Sequence, residues 1–300
     1  MKLSIIVCTY NRSHAIAPCL DSIAASLKMA MPVAAEIVVV DNASTDDTSA
    51  TVKNWSLSSS FPVRLVYEPR KGLSCARNCG MNAATGELLI FTDDDCHLDE
   101  NYIQRALACD SKDVGMVLRG GSVALGNSAD LPLTIKTLDT THQWNKALRS
   151  ARHENLGNTL LGCNLMMRKT TAQRLGSFDE RLGAGSIIPG GEDTDYIYRA
   201  YLAGITIEYL PELIVYHHHG RKKLTDGHRL LQNYMLGSGA LYAKYLFKDP
   251  DLCRQLYWDI KNAIKEIFSG KKGFMQEIAF SNCDKVLFSM KGFFLYLFRA

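Results

Sequence analysis

Three consecutive carboxylates, Asp93-Asp94-Asp95, close an apolar run from Leu88 to Phe91. Like charges this close repel, and a divalent cation carrying an anionic ligand such as a diphosphate relieves the repulsion. Hard oxygen ligands of this type suit Mn²⁺ or Mg²⁺. The other account is a solvated loop or an N-cap for a helix starting near Glu100. A second acidic group, Gly190-Gly191-Glu192-Asp193-Thr194-Asp195, leads into a helix-like stretch from Tyr196 to Ala203. The helix dipole keeps such first-turn carboxylates ionised, and an ionised carboxylate facing a hydroxyl can take its proton as a general base. Capping alone also accounts for acids here, Asp195 in particular. Further on stand His217-His218-His219. Neutral imidazole binds Mn²⁺ and Zn²⁺ alike, so one histidine could complete a metal shell begun by the aspartates. Zinc held by the histidines with Cys75, Cys79 or Cys96 is the competing idea, which no C-x-x-C spacing supports.

These side chains need elements to bring them together. Leu3 to Cys8 is a β-rich apolar run, and Ile16, Leu20, Ile23 and Leu27 recur at helical spacing. Strands follow at Glu36–Val40, Val63–Tyr67 and Glu87–Thr92, separated by helices over Asp46–Asn54 and Leu73–Ala84. Apolar strands alternating with helices predict an α/β fold with a mainly parallel central sheet covered on both faces. Ligands of such sheets bind beyond the carboxyl ends of the strands, where Thr9-Tyr10-Asn11, Asp41 and Asp93-Asp94-Asp95 all fall. Asp41 could accept from a base N–H or close an Asx turn, and Arg77 could meet phosphate or base or sit on a solvated helix face.

Composition narrows the classes. The 300 residues are 47% hydrophobic and 22% charged, with a net charge of +3, so nothing calls for a nucleic-acid partner. The charge is uneven, since residues 221–300 hold 14 Lys and Arg against 7 Asp and Glu. That basic end points to an anionic surface. Nine cysteines, an odd number without a framework, read as reduced thiols of a cytoplasmic protein, with neither signal peptide nor membrane span. After the first strand stands CTYNRS, with no G-x-G-x-x-G, and no P-loop occurs anywhere, which disfavours dinucleotide and P-loop chemistry.

Taken in series, SIIVCTYNR, IVVVDNASTDDT, EPRKGLSCARNCGMNAATGELLIFTDDDC, GSFDERLG, GGEDTDYIYRAYLAG and VYHHHG resemble the family-2 inverting glycosyltransferases of the GT-A fold. The resemblance covers roughly residues 1–220. It implies transfer of a sugar from a nucleotide-diphosphate donor, UDP by default, to a hydroxyl of a glycan or lipid-linked glycan. By the same resemblance, Thr9, Tyr10 and Asn11 touch the nucleoside, Asp41 reads the base and Arg77 lies near the nucleotide. Asp93 and Asp95 become the outer residues of a D-x-D motif, with Asp95 the direct metal ligand and Asp94 near the ribose. Asp193 matches the general base, and His217, or else His219, the metal-associated histidine. Glu192 and Asn164 fall on the acceptor side, Asn164 with the equal alternative of a buried amide bonded to backbone.

The expected catalytic domain is residues 1–223, its nucleotide half about 1–125 and its acceptor half about 126–223, where Trp144 and His142 sit in an aperiodic stretch. Glycines between Gly183 and Gly191 predict a loop that orders over the donor. Residues 224–300 form a helical, basic and amphipathic extension, suited to a membrane surface or to packing against protein, including a homodimer partner. A nucleotidyltransferase would use a similar sheet and metal but needs a glycine-rich basic loop after the first strand. An inert carbohydrate-binding homologue would lose the acids, which are all present.

Overall fold

The computed structural model describes residues 2–146, 159–269, 274–275 and 278–299. Its first half alternates as expected: β1 (Lys2–Thr9), α1 (Ile16–Met29), β2 (Ala34–Asp41), α2 (Thr48–Ser56), β3 (Val63–Tyr67), α3 (Leu73–Ala83) and β4 (Leu88–Asp93). Then come β5 (Cys96–Leu98), α4 (Tyr102–Asp110), β6 (Val117–Leu125), β7 (His142–Trp144), β8 (Leu165–Arg168), α5 (Lys169–Leu175), α6 (Glu192–Leu202) and β9 (Thr206–His217). Three helices finish the chain: α7 (Leu224–Tyr245), α8 (Pro250–Ser269) and α9 (Asn282–Phe298).

One sheet runs β3-β2-β1-β4-β8-β6-β9-β5, with β7 added against β9. Strands β1, β2 and β4 are largely apolar because both their faces are buried, whereas β3 lies at the sheet edge and is only half-buried. Leu3, Ile5 and Val7 point to the α1 side with Leu20 and Ile23, while Ile6 joins Ala76 of α3 and Tyr196 and Ile197 of α6 on the other. The sheet is parallel over β3-β2-β1-β4 and mixed beyond, which narrows the expectation of a mainly parallel sheet to its first half. The reversal has a simple cause. β8 enters the sheet at the end where β4 leaves it, Leu165 opposite Phe91, and so runs antiparallel to it.

Register places the polar ends together: Thr9 pairs with Asp41 and Cys8 with Asp93. β1 has β2 on one side and β4 on the other, so the order of connection reverses beside it, the place where open α/β sheets bind ligands.

The terminal helices pack on the rest across the expected division at 223/224. Lys244 Nζ lies 2.9 Å from Asp179 Oδ2, and Tyr245 donates to Asp195 Oδ1 at 2.8 Å. A Cβ on Gly239 of α7 would collide with the Ser289 carbonyl of α9, and one on Gly292 with the Leu236 carbonyl, so these two helices cross nearly backbone to backbone. No helix among the described residues is long and apolar enough to cross a membrane.

Candidate active site

The aligned strand ends open into a crevice of about 480 Å³ lined by Thr9, Tyr10, Asp93, Asp94, Asp95 and His217 together with Glu192 and Asp193. That volume lies within the range of small-molecule sites. β9 runs twelve residues to bring His217 opposite Cys96 of β5, which sets the imidazole beside the acidic turn. His217 Nε2 lies 3.3 Å from Asp95 Oδ1. Among the three histidines only this one faces the acids. His218 stacks on His97 at 4.1 Å, and His219 turns to the Leu131 carbonyl at 3.1 Å.

The charges at this rim balance one another. Burial opposes ionisation of Asp95, but its hydrogen bond and charge pairing with His217 prevail and hold the carboxyl below its usual range. Burial likewise opposes a charged His217, yet the Asp95 bond raises it to about 9. Asp94 is pushed up to about 7, chiefly by burial. Arg12, on the loop after β1, reaches Asp95 at 3.2 Å and Asp94 at 3.5 Å. The donor set of hard carboxylates and one imidazole, held this close with compensating positive charge, fits a divalent cation of the Mn²⁺ or Mg²⁺ type. Asp95 and His217 are the residues that would hold it; Asp93, the third expected ligand, is turned to Arg77 at 3.3 Å.

The link between the aspartates and Glu192 is Arg77. Its side chain leaves the middle of α3 fully inside the protein, 2% exposed, and spans Asp93 at 3.3 Å and Glu192 at 2.9 Å. It is therefore not on a solvated helix face. Burial, then the neighbouring Asp193 charge, pushes the Glu192 carboxyl up against the pull of Arg77. Asp193 is half-buried and held from both sides: Oδ2 accepts the Gly162 N–H at 2.9 Å and Oδ1 the Thr194 N–H at 2.7 Å. A side chain at Gly162 would have to displace the Arg77 guanidinium, which a Cβ would approach to 2.8 Å. Gly191, at φ +85°, turns the chain into α6 and abuts Gly237 of α7, where an added Cβ would come within 2.7 Å. That turn aims Asp193 into the crevice while Asp195, fully buried, points inward to Arg199, Lys244 and Tyr245. Asp195 is thus structural.

Other expected residues take different places. Asp41 closes the turn after β2, accepting the Ser44 N–H at 2.9 Å and the Ser49 hydroxyl. From that turn it is Asn42 that lines the crevice, tied to Gly72 and Arg70. Asn11, at φ 53°, accepts the Thr45 N–H at 2.7 Å and so locks the β1 and β2 loops together. The expected acceptor contact of Asn164 is corrected: its side chain is 0% exposed, takes the Tyr102 hydroxyl at 2.7 Å and donates to the Ser122 and Leu213 carbonyls. Asn164 stands just before β8, turned into the sheet core, so it braces strands instead of meeting substrate. Trp144 is also buried, under His142 stacked at 5.7 Å, and residues 147–158 of the expected acceptor stretch lie outside the described residues. The Gly183–Gly191 loop is tied by its own bonds, Gly183 N–H to the Ile188 carbonyl at 2.9 Å and Ser186 Oγ to the Gly183 carbonyl at 2.7 Å.

Sequence reasoning passed over Arg12, Gly162 and Cys163. Cys163, Cys96 and His217 bring their ligand atoms within 4.8 Å of one another, all buried. Cys75 and Cys79 lie elsewhere, on α3.

A paired acidic rim and a carboxylate at a helix start, set at the reversal point of a half-parallel α/β sheet, define a nucleotide-type crevice of the GT-A kind. Residues 4–173 match the model of Glycosyl transferase family 2, more than half of the chain, and the chain belongs to that family. It is 31% identical over 222 residues to the succinoglycan biosynthesis protein ExoM of Rhizobium meliloti, covering 72% of this chain and 66% of the relative, just under two thirds of its length. Among solved structures it resembles Staphylococcus aureus TarS 1–349 in complex with UDP, with a TM-score of 0.58 and 17% identity over 99% of this chain and 91% of that one. It also resembles the mannosyltransferase PcManGT of Pyrobaculum calidifontis in complex with GDP-Man and Mn²⁺, with a TM-score of 0.61 and 17% identity over 99% and 87%. At that identity the likeness concerns the fold, which is GT-A.

Proposed function

We propose that this chain is a metal-dependent inverting glycosyltransferase that moves a hexosyl or N-acetylhexosaminyl group from a nucleotide-diphosphate donor to a hydroxyl of a glycan or lipid-linked glycan. The observation that carries this is that Asp193 lines the same crevice as Asp93, Asp94, Asp95 and His217. UDP is the first donor to test, as TarS is a protein solved with UDP, and GDP the second, as PcManGT was solved with GDP-Man.

Each residue then has a task. The Gly162 and Thr194 amides fix the Asp193 carboxylate in one orientation, so that it takes the proton of the acceptor hydroxyl on the face opposite the leaving group. Attack from that face in one displacement inverts the anomeric carbon. Arg77 stays charged while tying Asp93 to Glu192 and thereby fixes the distance between the rim and the base wall. A bound divalent ion supplies neutralisation of the charge that gathers on the departing diphosphate. No residue serves as a covalent nucleophile in this scheme.

Calorimetric titration of UDP, GDP, dTDP and CMP with Mn²⁺, Mg²⁺ or EDTA tests it. Metal-dependent binding of one nucleotide, lost in the Asp93→Asn, Asp95→Asn double variant, is the expected result. No binding under any condition, or binding that the double variant keeps, refutes the proposal.

A further inference from the structure

α8 is folded inside out. Its face toward the protein carries two acids, Asp259 and Glu266, among Leu252 and Ala263. Each acid is used: Asp259 takes Lys285 at 2.6 Å and the Tyr242 hydroxyl at 3.1 Å, and Glu266 the Asn282 N–H at 2.7 Å. The outward face carries Tyr257, Ile260, Ile264, Ile267 and Phe268, all exposed, with Ile267 at 68% and Phe268 at 86%. An ordinary surface helix does the reverse, burying its apolar stripe and wetting its charges.

The spacing i, i+3, i+7, i+10, i+11 of that stripe recurs thirty residues later on α9 as Leu287, Met290, Phe294, Leu297 and Phe298, again exposed, with Phe298 at 76%. Each stripe has a lysine at i+4, Lys261 and Lys291. The inward side of α9 is fixed by its close crossing with α7, so its stripe is not turned inward.

We infer that these stripes are a docking surface for an anionic lipid bilayer. Two features on the helices choose this occupant. Exposed charge near the α8 stripe is positive, from Lys261 and Lys265, because the two acids of the helix beyond its first turn are both turned inward. The stripe is also rich in aromatic side chains, with Trp258 beside it and Lys261 Nζ 4.5 Å from its ring. Large apolar and aromatic residues bordered by lysines are the composition of a helix lying in a headgroup layer, where the rings and chains enter and the ammonium groups meet phosphate. A second copy of a positively charged face would bring like charges together.

The test is co-sedimentation of the full chain, without nucleotide, with vesicles of phosphatidylcholine alone or mixed with phosphatidylglycerol. The chain pellets with the anionic vesicles. The Ile264→Glu, Phe268→Glu variant lowers the bound fraction about tenfold or more, with an unchanged melting curve because both side chains face solvent. Lys261→Glu, Lys265→Glu removes the preference for phosphatidylglycerol, while Leu57→Glu, an exposed change in the first half, leaves binding as it was. Vesicle binding that is absent, or indifferent to the stripe variants, overturns the inference. So does a dimer by sedimentation velocity that Ile264→Glu, Phe268→Glu dissociates, for then a second copy covers the stripe. None of these outcomes depends on nucleotide binding, so the docking surface and the proposed reaction stand or fall separately.

Discussion

Replacing Asp193 by Asn tests the proposed base most directly, because the structure separates what the change does to chemistry from what it does to folding. An amide has one acceptor oxygen, whereas the carboxylate uses both, one for Gly162 and one for Thr194. One hydrogen bond is therefore lost and an NH₂ group faces an N–H, a stability cost of about 1–3 kcal/mol. Removing a general base costs about 10²- to 10⁴-fold in rate, or roughly 3–5 kcal/mol of barrier. Urea denaturation reads the first quantity. The second is read as nucleoside diphosphate released by an acceptor panel, or slowly by water, at saturating donor. Donor affinity stays within a few fold, since the bonds of Asp193 run to Gly162 and Thr194 and those of the acidic rim to Arg12, Arg77 and His217. A stable variant that keeps donor binding and turns over within about tenfold of the parent would show that another group takes the proton.

Three further outcomes follow from the same geometry. Arg77→Met strands Glu192 and Asp93 and lowers stability by about 3–5 kcal/mol; adding Glu192→Gln recovers more than about 1 kcal/mol in urea melts, and no recovery would mean the ion pair is not the cause. Mn²⁺ must displace the proton that His217 holds up to about 9, so calorimetric affinity climbs as pH rises through the neutral range and levels off above that value, while Asp95, held low, stays ionised throughout. His217→Asn flattens that profile. Zn²⁺ competes with Mn²⁺ through the Cys96, Cys163 and His217 cluster, and Cys163→Ser raises the inhibitory Zn²⁺ concentration about tenfold or more, whereas equal sensitivity would place the inhibition elsewhere.

Much of the first half was legible because burial on both faces leaves uninterrupted apolar runs, and β1 to β4 with α1 to α3 appear where those runs and their helical partners predict. The acid clusters were legible by type, since few structural needs gather three aspartates. Partners that depend on register were not. Arg12 meets Asp94 and Asp95 only because Cys8 pairs with Asp93 across β1 and β4. Cys163, just before β8, meets Cys96, the first residue of β5, beside His217 at the end of β9, a closeness no local spacing encodes. Asn164 was open to two readings until its orientation within the sheet was known, and Trp144, in a stretch without periodicity, gave no sign that β7 would pair with β9 and bury it. In the last helix, Phe293 packs inward while Phe294 faces out, a difference of one residue that hydrophobicity alone does not resolve.

The nearly bare backbone contact between Gly191 and Gly237 sets the order in which the site can be assembled. The acidic rim is complete once β4, β5 and β9 have paired, but the turn that aims Asp193 has no floor until α7 arrives beneath it. Asp195, just beyond, waits for Lys244 and Tyr245 of the same helix. A ribosome releasing this chain from its N-terminus would therefore deliver the strands of the acidic rim before the helix that floors the Asp193 turn. Because α7 is itself clasped by α9, a helix that carries one of the apolar stripes also backs the turn that aims Asp193.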